Sequence, residues 1–343
     1  MRVRNRFCSE ALLCNPIDLN HLVLKMKAIM LHPQARALLN LIEQSGLPAT
    51  HTLPPVEARK TYRDRRAYSQ PAPPPVASVR DTVTPGPHGA IPLRLYRPAG
   101  THEDAVLPVL VFFHGGGWTI GDLDTHDTLC RELCNGARAC VVAVDYRMGP
   151  EHRFPAAVND GLAATYWVHR NAAALKLDPA RIAVGGDSAG GNLAAVVALA
   201  ARDGGDLPLV FQLLIYPATD MRRGAPSHVS NGQSYLLTRD TMQYFHDHYI
   251  DDATHDTDWR ASPLLADSLA ALPPALILTA GFDPLRDEGM QYAARLTESG
   301  SRAVQVCFER QIHGFITMGR VLDDANTAVA LCAAELTRAF GSQ

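Results

Sequence analysis

Residues 185–192 read Gly185-Gly186-Asp187-Ser188-Ala189-Gly190-Gly191-Asn192, one serine among four glycines. Just upstream, Arg181-Ile182-Ala183-Val184 has the character of a short strand. Just downstream, Leu193-Ala194-Ala195-Val196-Val197-Ala198-Leu199-Ala200 is good helix material. A serine between strand and helix is either a helix cap or a nucleophile. The Gly186-x-Ser188-x-Gly190 spacing favours the nucleophile, because a sharp strand–turn–helix elbow strains the serine backbone and admits only small neighbours. The helix N-terminus beneath it also favours negative charge near the hydroxyl.

Working outward, apolar runs that read as strands alternate with helical patterns. The strands are expected at 76–84, 91–96, 106–113, 139–145, 181–185, 210–216, 275–280 and 303–308. Helices are expected at 124–136, 156–171, 189–202, 284–298 and 319–340. The run 106–113 is continuously apolar, as a parallel strand buried on both faces requires. This alternation predicts an α/β protein with a mostly parallel central sheet covered by helices on both faces. There is no internal repeat. Two further helical patterns, at 32–46 and 56–68, precede Pro71-Ala72-Pro73-Pro74-Pro75, a stiff connector that marks a boundary. Between 217 and 262 the alternation lapses into a polar and aromatic insertion with a helix expected at 238–249. Domain organisation is therefore expected as a poorly structured leader at 1–25, N-terminal cap helices at 26–75, and a catalytic domain at 76–343 with a cap insertion at about 217–262. Met26 or Met30 is the expected native start if the leader is not part of the protein.

The 343 residues include 47% hydrophobic and 20% charged side chains, enough apolar material for one large core. A net charge of -3 offers no basic excess for nucleic acid. Seven cysteines without paired or zinc-type spacing read as buried thiols of a reducing, cytoplasmic compartment, with Cys130 and Cys134 on one helix face. Arg2, Arg4 and Arg6 are not followed by the apolar stretch of a secretory signal, and no run approaches the length of a membrane span.

A second glycine-rich segment, Phe112-Phe113-His114-Gly115-Gly116-Gly117-Trp118, follows the strand expected at 106–113. Glycines let backbone N–H groups turn into a cavity, and such preorganised donors form an oxyanion hole worth about 3 kcal/mol each. Gly115, Gly116 and Gly117 are the candidates there, with Ala189 beside the serine as a further donor; which two glycines point inward stays open. A serine needs a base and the base an orienting acid, in the chain order serine, acid, histidine on this fold. Of 14 histidines, His313 alone lies beyond Asp283. Asp283 is nearest the end of the strand at 275–280, where it also suits a helix N-cap ahead of Pro284. Asp287 and Glu288 are expected to point elsewhere. Asp187 precedes the serine and reads as structural, bonding nearby loops. The charges of the stretch from Tyr146 to Pro155 are expected to pair with each other and brace the glycine loop.

Taken together, these stretches resemble the bacterial hormone-sensitive-lipase-like esterases of the α/β-hydrolase superfamily. His114-Gly115-Gly116-Gly117-Trp118 is similar to that family's glycine motif, and Gly186-Asp187-Ser188-Ala189-Gly190 to its elbow. Asp145-Tyr146-Arg147 through Pro155 resembles its conserved loop, with Met148-Gly149 in place of Leu-Ala. Asp283-Pro284-Leu285-Arg286-Asp287-Glu288-Gly289 and His313-Gly314-Phe315 resemble its acid and base segments. The resemblance spans roughly 76–343. It implies an α/β-hydrolase fold with a helical cap from the N-terminal helices and the insertion after the sixth strand. It implies hydrolysis of carboxylic esters with short or medium acyl chains, and neither metal nor organic cofactor. Ser188 is expected to attack, His313 to shuttle the proton and Asp283 to orient His313.

Trp118, Leu236, Phe245, Tyr249 and Phe315 are expected to shape the substrate pocket. The expected partner is a small-molecule ester, with no nucleic acid and no membrane span, for a protein acting as monomer or homodimer. An amidase or peptidase on the same fold is the alternative chemistry, against which stands the lack of room for a domain that gates peptides. A non-catalytic binding protein is the other alternative; plant gibberellin receptors resemble this family but lack the histidine that His313 supplies here.

Overall fold

The computed structural model describes residues 31–341. The leader expected at 1–25, with Met26 and Met30, lies outside the described residues. Eight strands form one sheet: β1 (Ser78–Gly86), β2 (Gly89–Arg97), β3 (Leu107–Phe113), β4 (Cys140–Val144), β5 (Leu177–Asp187), β6 (Leu209–Ile215), β7 (Ala275–Phe282) and β8 (Ala303–Ile312). Their order is β1-β2-β4-β3-β5-β6-β7-β8. β2 pairs antiparallel with β1 and with β4, and every other neighbouring pair is parallel.

The apolar runs explain this arrangement. β3, β4 and β7 are buried along their whole length because helices cover both sheet faces. On one face lie α4 (Ala156–Arg170), α5 (Ala189–Gly204) and α8 (Arg286–Glu298), packed into a cluster with Val109, Val111, Val184 and Leu214. On the other lie α3 (Asp127–Ala137) and α9 (Asp323–Phe340), packed with Leu110, Ala183, Leu213 and Leu278. Cys130 and Cys134 both face that second layer.

Several boundaries differ from the sequence expectation for local reasons. β1 runs on through Pro85 to Gly86, because it is an edge strand where a missing N–H is tolerated; the turn falls at Pro87 and His88. β5 begins four residues before Arg181, since Leu177 already pairs with Leu107. α8 starts at Arg286 rather than Pro284, with Leu285 as its N-cap residue.

The N-terminal helices part company. α1 (Pro33–Gln44) buries Ala35 in the second layer beside α9, and the His32 N–H donates to the Arg310 carbonyl at 2.9 Å. α2 (Pro55–Ser69) instead reaches across to the loop after β3, held there by side-chain hydrogen bonds. The insertion after β6 contributes α6 (Pro226–Ser230) and α7 (Arg239–Tyr249). Thr238 caps α7 by accepting the Thr241 N–H at 3.2 Å, and His51, between α1 and α2, lies 3.3 Å from the Thr241 hydroxyl.

Strand order fixes where a site can form. From β3 the chain moves to β4 on one side, then crosses back to β5 on the other. The loops leaving β3 and β5 diverge at this switch point and open a crevice at the carboxyl ends of the strands. The glycine loop follows β3 and Ser188 follows β5.

Candidate active site

β5 ends at Asp187 and α5 begins at Ala189, so Ser188 alone makes the corner, at φ 56° and ψ -116°. This left-handed conformation is strained for a residue with a β-carbon. Neighbouring bonds impose it: the Ser188 N–H donates to the Ile215 carbonyl at 2.8 Å, and its own carbonyl accepts Asn192 N–H at 3.0 Å. α5 comes so close to β3 that a β-carbon at Gly190 would run into the Phe113 carbonyl. The Gly-x-Ser-x-Gly spacing is therefore a packing requirement as well as a turn.

Three chain segments distant in sequence meet above this corner. The Ser188 hydroxyl lies 3.0 Å from His313 Nε2, and His313 Nδ1 lies 2.7 Å from Asp283 Oδ2. Asp283 follows β7 and His313 follows β8, adjacent parallel strands that bring their ends together. Asp283 is fully buried, and its Oδ1 accepts the Leu285 N–H at 2.8 Å, so both carboxylate oxygens are held. The Tyr216 ring packs on His313 with centroids 4.7 Å apart.

The glycine loop divides its labour. The Gly115 N–H donates to Asp187 Oδ1 at 2.9 Å. It is thus committed to the elbow and is unavailable as an oxyanion donor, which corrects the expectation for Gly115. Gly116 and Gly117 adopt positive φ values of 123° and 58°. Among the described residues their N–H groups have no partner in the protein. Ala189, the first residue of α5, leaves its N–H free as helix-start amides do.

Asp187 is buried behind this loop. Burial works to raise its pKa, but His126, whose Nε2 is 3.2 Å away, and the Gly115 N–H outweigh it and hold the carboxyl below its usual range. His114 beside it is lowered to about 4 by burial and by the neighbouring His126. It stacks on Tyr146, whose hydroxyl donates to the His114 carbonyl at 2.7 Å.

The stretch from Tyr146 to Pro155 braces the glycine loop differently from the expectation. The Gly149 N–H donates to the Trp118 carbonyl at 2.8 Å. Its charges pair elsewhere rather than with each other: Arg147 with Asp160 at 2.7 Å, Glu151 with Arg59 of α2, and Arg153 with the Asp247 and Ile250 carbonyls.

Of the five expected pocket residues, Phe245 alone lies against the glycine loop, its ring filling the space where a Gly117 β-carbon would sit. Trp118 and Tyr249 stack on each other with centroids 4.4 Å apart, both buried in the first apolar cluster. Phe315 is wholly buried against Tyr216 and Phe308, and Leu236 packs on the same second cluster. Trp118, Tyr249 and Phe315 are thus buried within the apolar clusters, and Leu236 is partly buried against the second of them.

Asp287 and Glu288 point toward the cap insertion. Asp287 accepts the Ser227 N–H at 2.9 Å, and Glu288 pairs with His228 at 2.6 Å in a fully buried contact. Burial raises the Glu288 pKa against the opposing pull of His228. Asn231 donates to the carbonyls of Gly281 and Asp283 at 3.1 and 3.0 Å. The insertion thus fastens the acid loop in place. Sequence reasoning did not identify His228, Asn231 or Arg59; each is a lone polar residue whose partners lie at least 50 positions away.

Comparison with known proteins agrees with the geometry. Residues 110–317 match the profile of a family described as α/β hydrolase fold, and the chain belongs to that family. Its relatives extend to the hormone-sensitive-lipase-like esterases that the sequence resembles. It is 46% identical over 270 residues to the carboxylic ester hydrolase LipN of Mycobacterium tuberculosis, covering 77% of this chain and 71% of the relative. It is 36% identical over 310 residues to the ethyl acetate hydrolase of Pseudomonas putida, covering 88% of this chain and 96% of the relative. The solved ester-hydrolase EH1AB1 from the metagenome of Lake Arreo superposes with a TM-score of 0.88 at 44% identity, covering 91% of this chain and 100% of that one.

Proposed function

We propose that the chain is a serine carboxylesterase that hydrolyses small esters of short- to medium-chain acids through an acyl-enzyme. The observation that carries this reading is the 3.0 Å contact between the Ser188 hydroxyl and His313 Nε2, continued at 2.7 Å from Nδ1 to Asp283. His313 takes the serine proton as Ser188 Oγ bonds to the ester carbonyl carbon. Asp283 holds the imidazole in the tautomer with a proton on Nδ1 and stabilises the imidazolium that forms. The negative charge of the tetrahedral intermediate falls to the N–H groups of Gly116, Gly117 and Ala189. His313 then returns the proton to the alkoxide as the C–O bond breaks and the alcohol leaves. Water attacks the acyl carbon, gives a proton to His313, and the carboxylic acid departs as Ser188 is reprotonated.

Relatives named carboxylic ester hydrolase and ethyl acetate hydrolase support esters as the substrates. Phe245 against the glycine loop supports a short acyl pocket. No helix among the described residues is long and apolar enough to cross a membrane. The buried free thiols of Cys130, Cys134, Cys140 and Cys332 support a cytoplasmic setting, where the protein acts as a monomer or homodimer. The experiment is hydrolysis of 4-nitrophenyl esters from acetate to palmitate by the wild type and by Ser188→Ala. Turnover that peaks at short chains and falls several orders of magnitude in the variant is expected. Full activity in Ser188→Ala, or no ester turned over by the wild type, overturns the reading.

A further inference from the structure

A peptide plane carries the carbonyl of one residue and the N–H of the next in opposite directions. The oxyanion donors of Gly116 and Gly117 are therefore aimed by whatever holds the carbonyls of Gly115 and Gly116. His114 Nδ1 lies 2.9 Å from the Gly115 carbonyl. The Gly116 carbonyl accepts the N–H groups of Thr119 and Ile120 at 3.1 and 2.9 Å, and the Thr119 hydroxyl donates to the Gly117 carbonyl at 3.0 Å. Thr119, wholly buried, is thus the knot of the turn.

One guanidinium from α2 ties that knot. Arg59 Nε donates to the Thr119 carbonyl at 2.8 Å, and one terminal nitrogen donates to the Gly149 carbonyl at 2.7 Å. The remaining donors fork onto Glu151 at 2.7 and 2.6 Å. Gly149 in turn donates to Trp118, so Arg59 closes a ring around residues 118–119. Below it on the same face of α2, Arg63 pairs with Asp122, Arg66 donates to the Asp124 carbonyl, and Gln70 donates to the Thr125 carbonyl at 2.8 Å. Helix α2, whose buried residue is Ala58, thus docks through polar bonds on the loop that continues from the oxyanion turn.

We propose that Arg59 is a positioning residue for the oxyanion hole: by holding the Thr119 and Gly149 carbonyls together it aims the Gly117 N–H at the reacting carbonyl. This rests on the serine-esterase reading and extends it to a residue outside the profile match at 110–317. Only a planar fork reaches all these acceptors, so lysine is a poor substitute.

The test compares Arg59→Ala, Arg59→Lys and Ser188→Ala on 4-nitrophenyl butyrate, with inhibition by a trifluoromethyl ketone as the tetrahedral probe. Misaiming one donor costs somewhat less than deleting it, so kcat should fall about 30-fold in Arg59→Ala with KM nearly unchanged. Affinity for the ketone should fall by the same factor, Arg59→Lys should lie between, and added methylguanidinium should restore part of the Arg59→Ala rate. A residue that merely stabilised the fold would lower the melting temperature without weakening the ketone relative to substrate. The proposal is overturned if Arg59→Ala keeps kcat and ketone affinity within about twofold, or if only KM rises. Should Arg59→Ala fail to fold, Arg59→Lys with the same two readouts decides. Activity surviving in Ser188→Ala removes the esterase reading itself, an outcome separate from any result at Arg59.

Discussion

Replacing Asp283 by asparagine changes no volume and one atom, and the structure dictates which way the amide must lie. The carboxylate accepts twice, from Leu285 N–H at 2.8 Å and from His313 Nδ1 at 2.7 Å, in a fully buried position. Asparagine has one acceptor oxygen and one donor NH2 group. Turning the NH2 toward Leu285 would oppose two buried donors and strand both, at a cost of about 1–3 kcal/mol each. The oxygen therefore stays on Leu285, and the NH2 faces His313. Nδ1 must then accept, which moves the imidazole proton to Nε2, facing the Ser188 hydroxyl 3.0 Å away. A base already carrying a proton on that nitrogen cannot take another from serine. The expected loss in kcat is about 10⁴-fold, the size found when a serine hydrolase triad is forced into the wrong tautomer. This amounts to about 5 kcal/mol of transition-state stabilisation. The assay is steady-state hydrolysis of 4-nitrophenyl butyrate, with circular dichroism to show that the variant is folded. A loss of less than tenfold in a folded variant would refute the reasoning and take the orienting role away from Asp283.

Three other outcomes follow from the same geometry. Ser188→Gly should be inactive yet melt at a higher temperature, because relief of the strain at φ 56° (about 1–3 kcal/mol) exceeds the entropic cost of glycine; calorimetry showing an equal or lower melting temperature would deny the strain. Phe245→Ala should raise the ratio of octanoate to acetate turnover about tenfold, since the ring closes the space beside Gly117, and an unchanged ratio would take Phe245 out of the acyl pocket. The share of stability that His114 carries should fall as pH drops from 6.5 toward 4: His114 is held at about 4 in the folded protein, so over that window the unfolded chain binds a proton that the folded one refuses. The effect is on the order of 3 kcal/mol. Glu132, raised to about 7 by burial, Glu288, also raised by burial, and Asp145, raised to about 6 by burial and by Asp122, all oppose it, the share of Asp145 being reduced by the 34% of its side chain that is exposed. Urea unfolding at pH 7 and 4.5 should show a steeper acid loss for Asp145→Asn than for wild type.

What the sequence made legible was whatever depends on local pattern. The fully buried strands β3, β4 and β7 are continuous apolar runs, and Ser188, Asp283 and His313 each follow a strand end, so chain order and strand ends, read with the Gly-x-Ser-x-Gly spacing, pointed to these three. The residues that sequence reading misplaced are those whose role depends on which way a loop folds. Tyr249 and Trp118 look like pocket aromatics in a polar insertion and a glycine loop, but they stack on each other inside the core. Glu151 looks like a partner for Arg147 or Arg153 in its own loop, yet it is taken by Arg59, 92 positions earlier. An ion pair leaves no trace of that separation in composition or periodicity.

Gly115 shows how closely a motif and its geometry are linked. Three consecutive glycines suggest three equivalent donors, but a buried carboxylate at Asp187 needs compensation and draws on the nearest N–H, that of Gly115. The choice follows from the elbow: Gly115 and Asp187 lie at the ends of β3 and β5, which are paired strands, so these two residues meet wherever the sheet forms. The Gly115 carbonyl is held separately, 2.9 Å from His114 Nδ1, and that contact sets the peptide plane carrying the Gly116 N–H. Asp187 thus fixes the first amide of the glycine loop. Its buried negative charge is compensated by His126 and the Gly115 N–H.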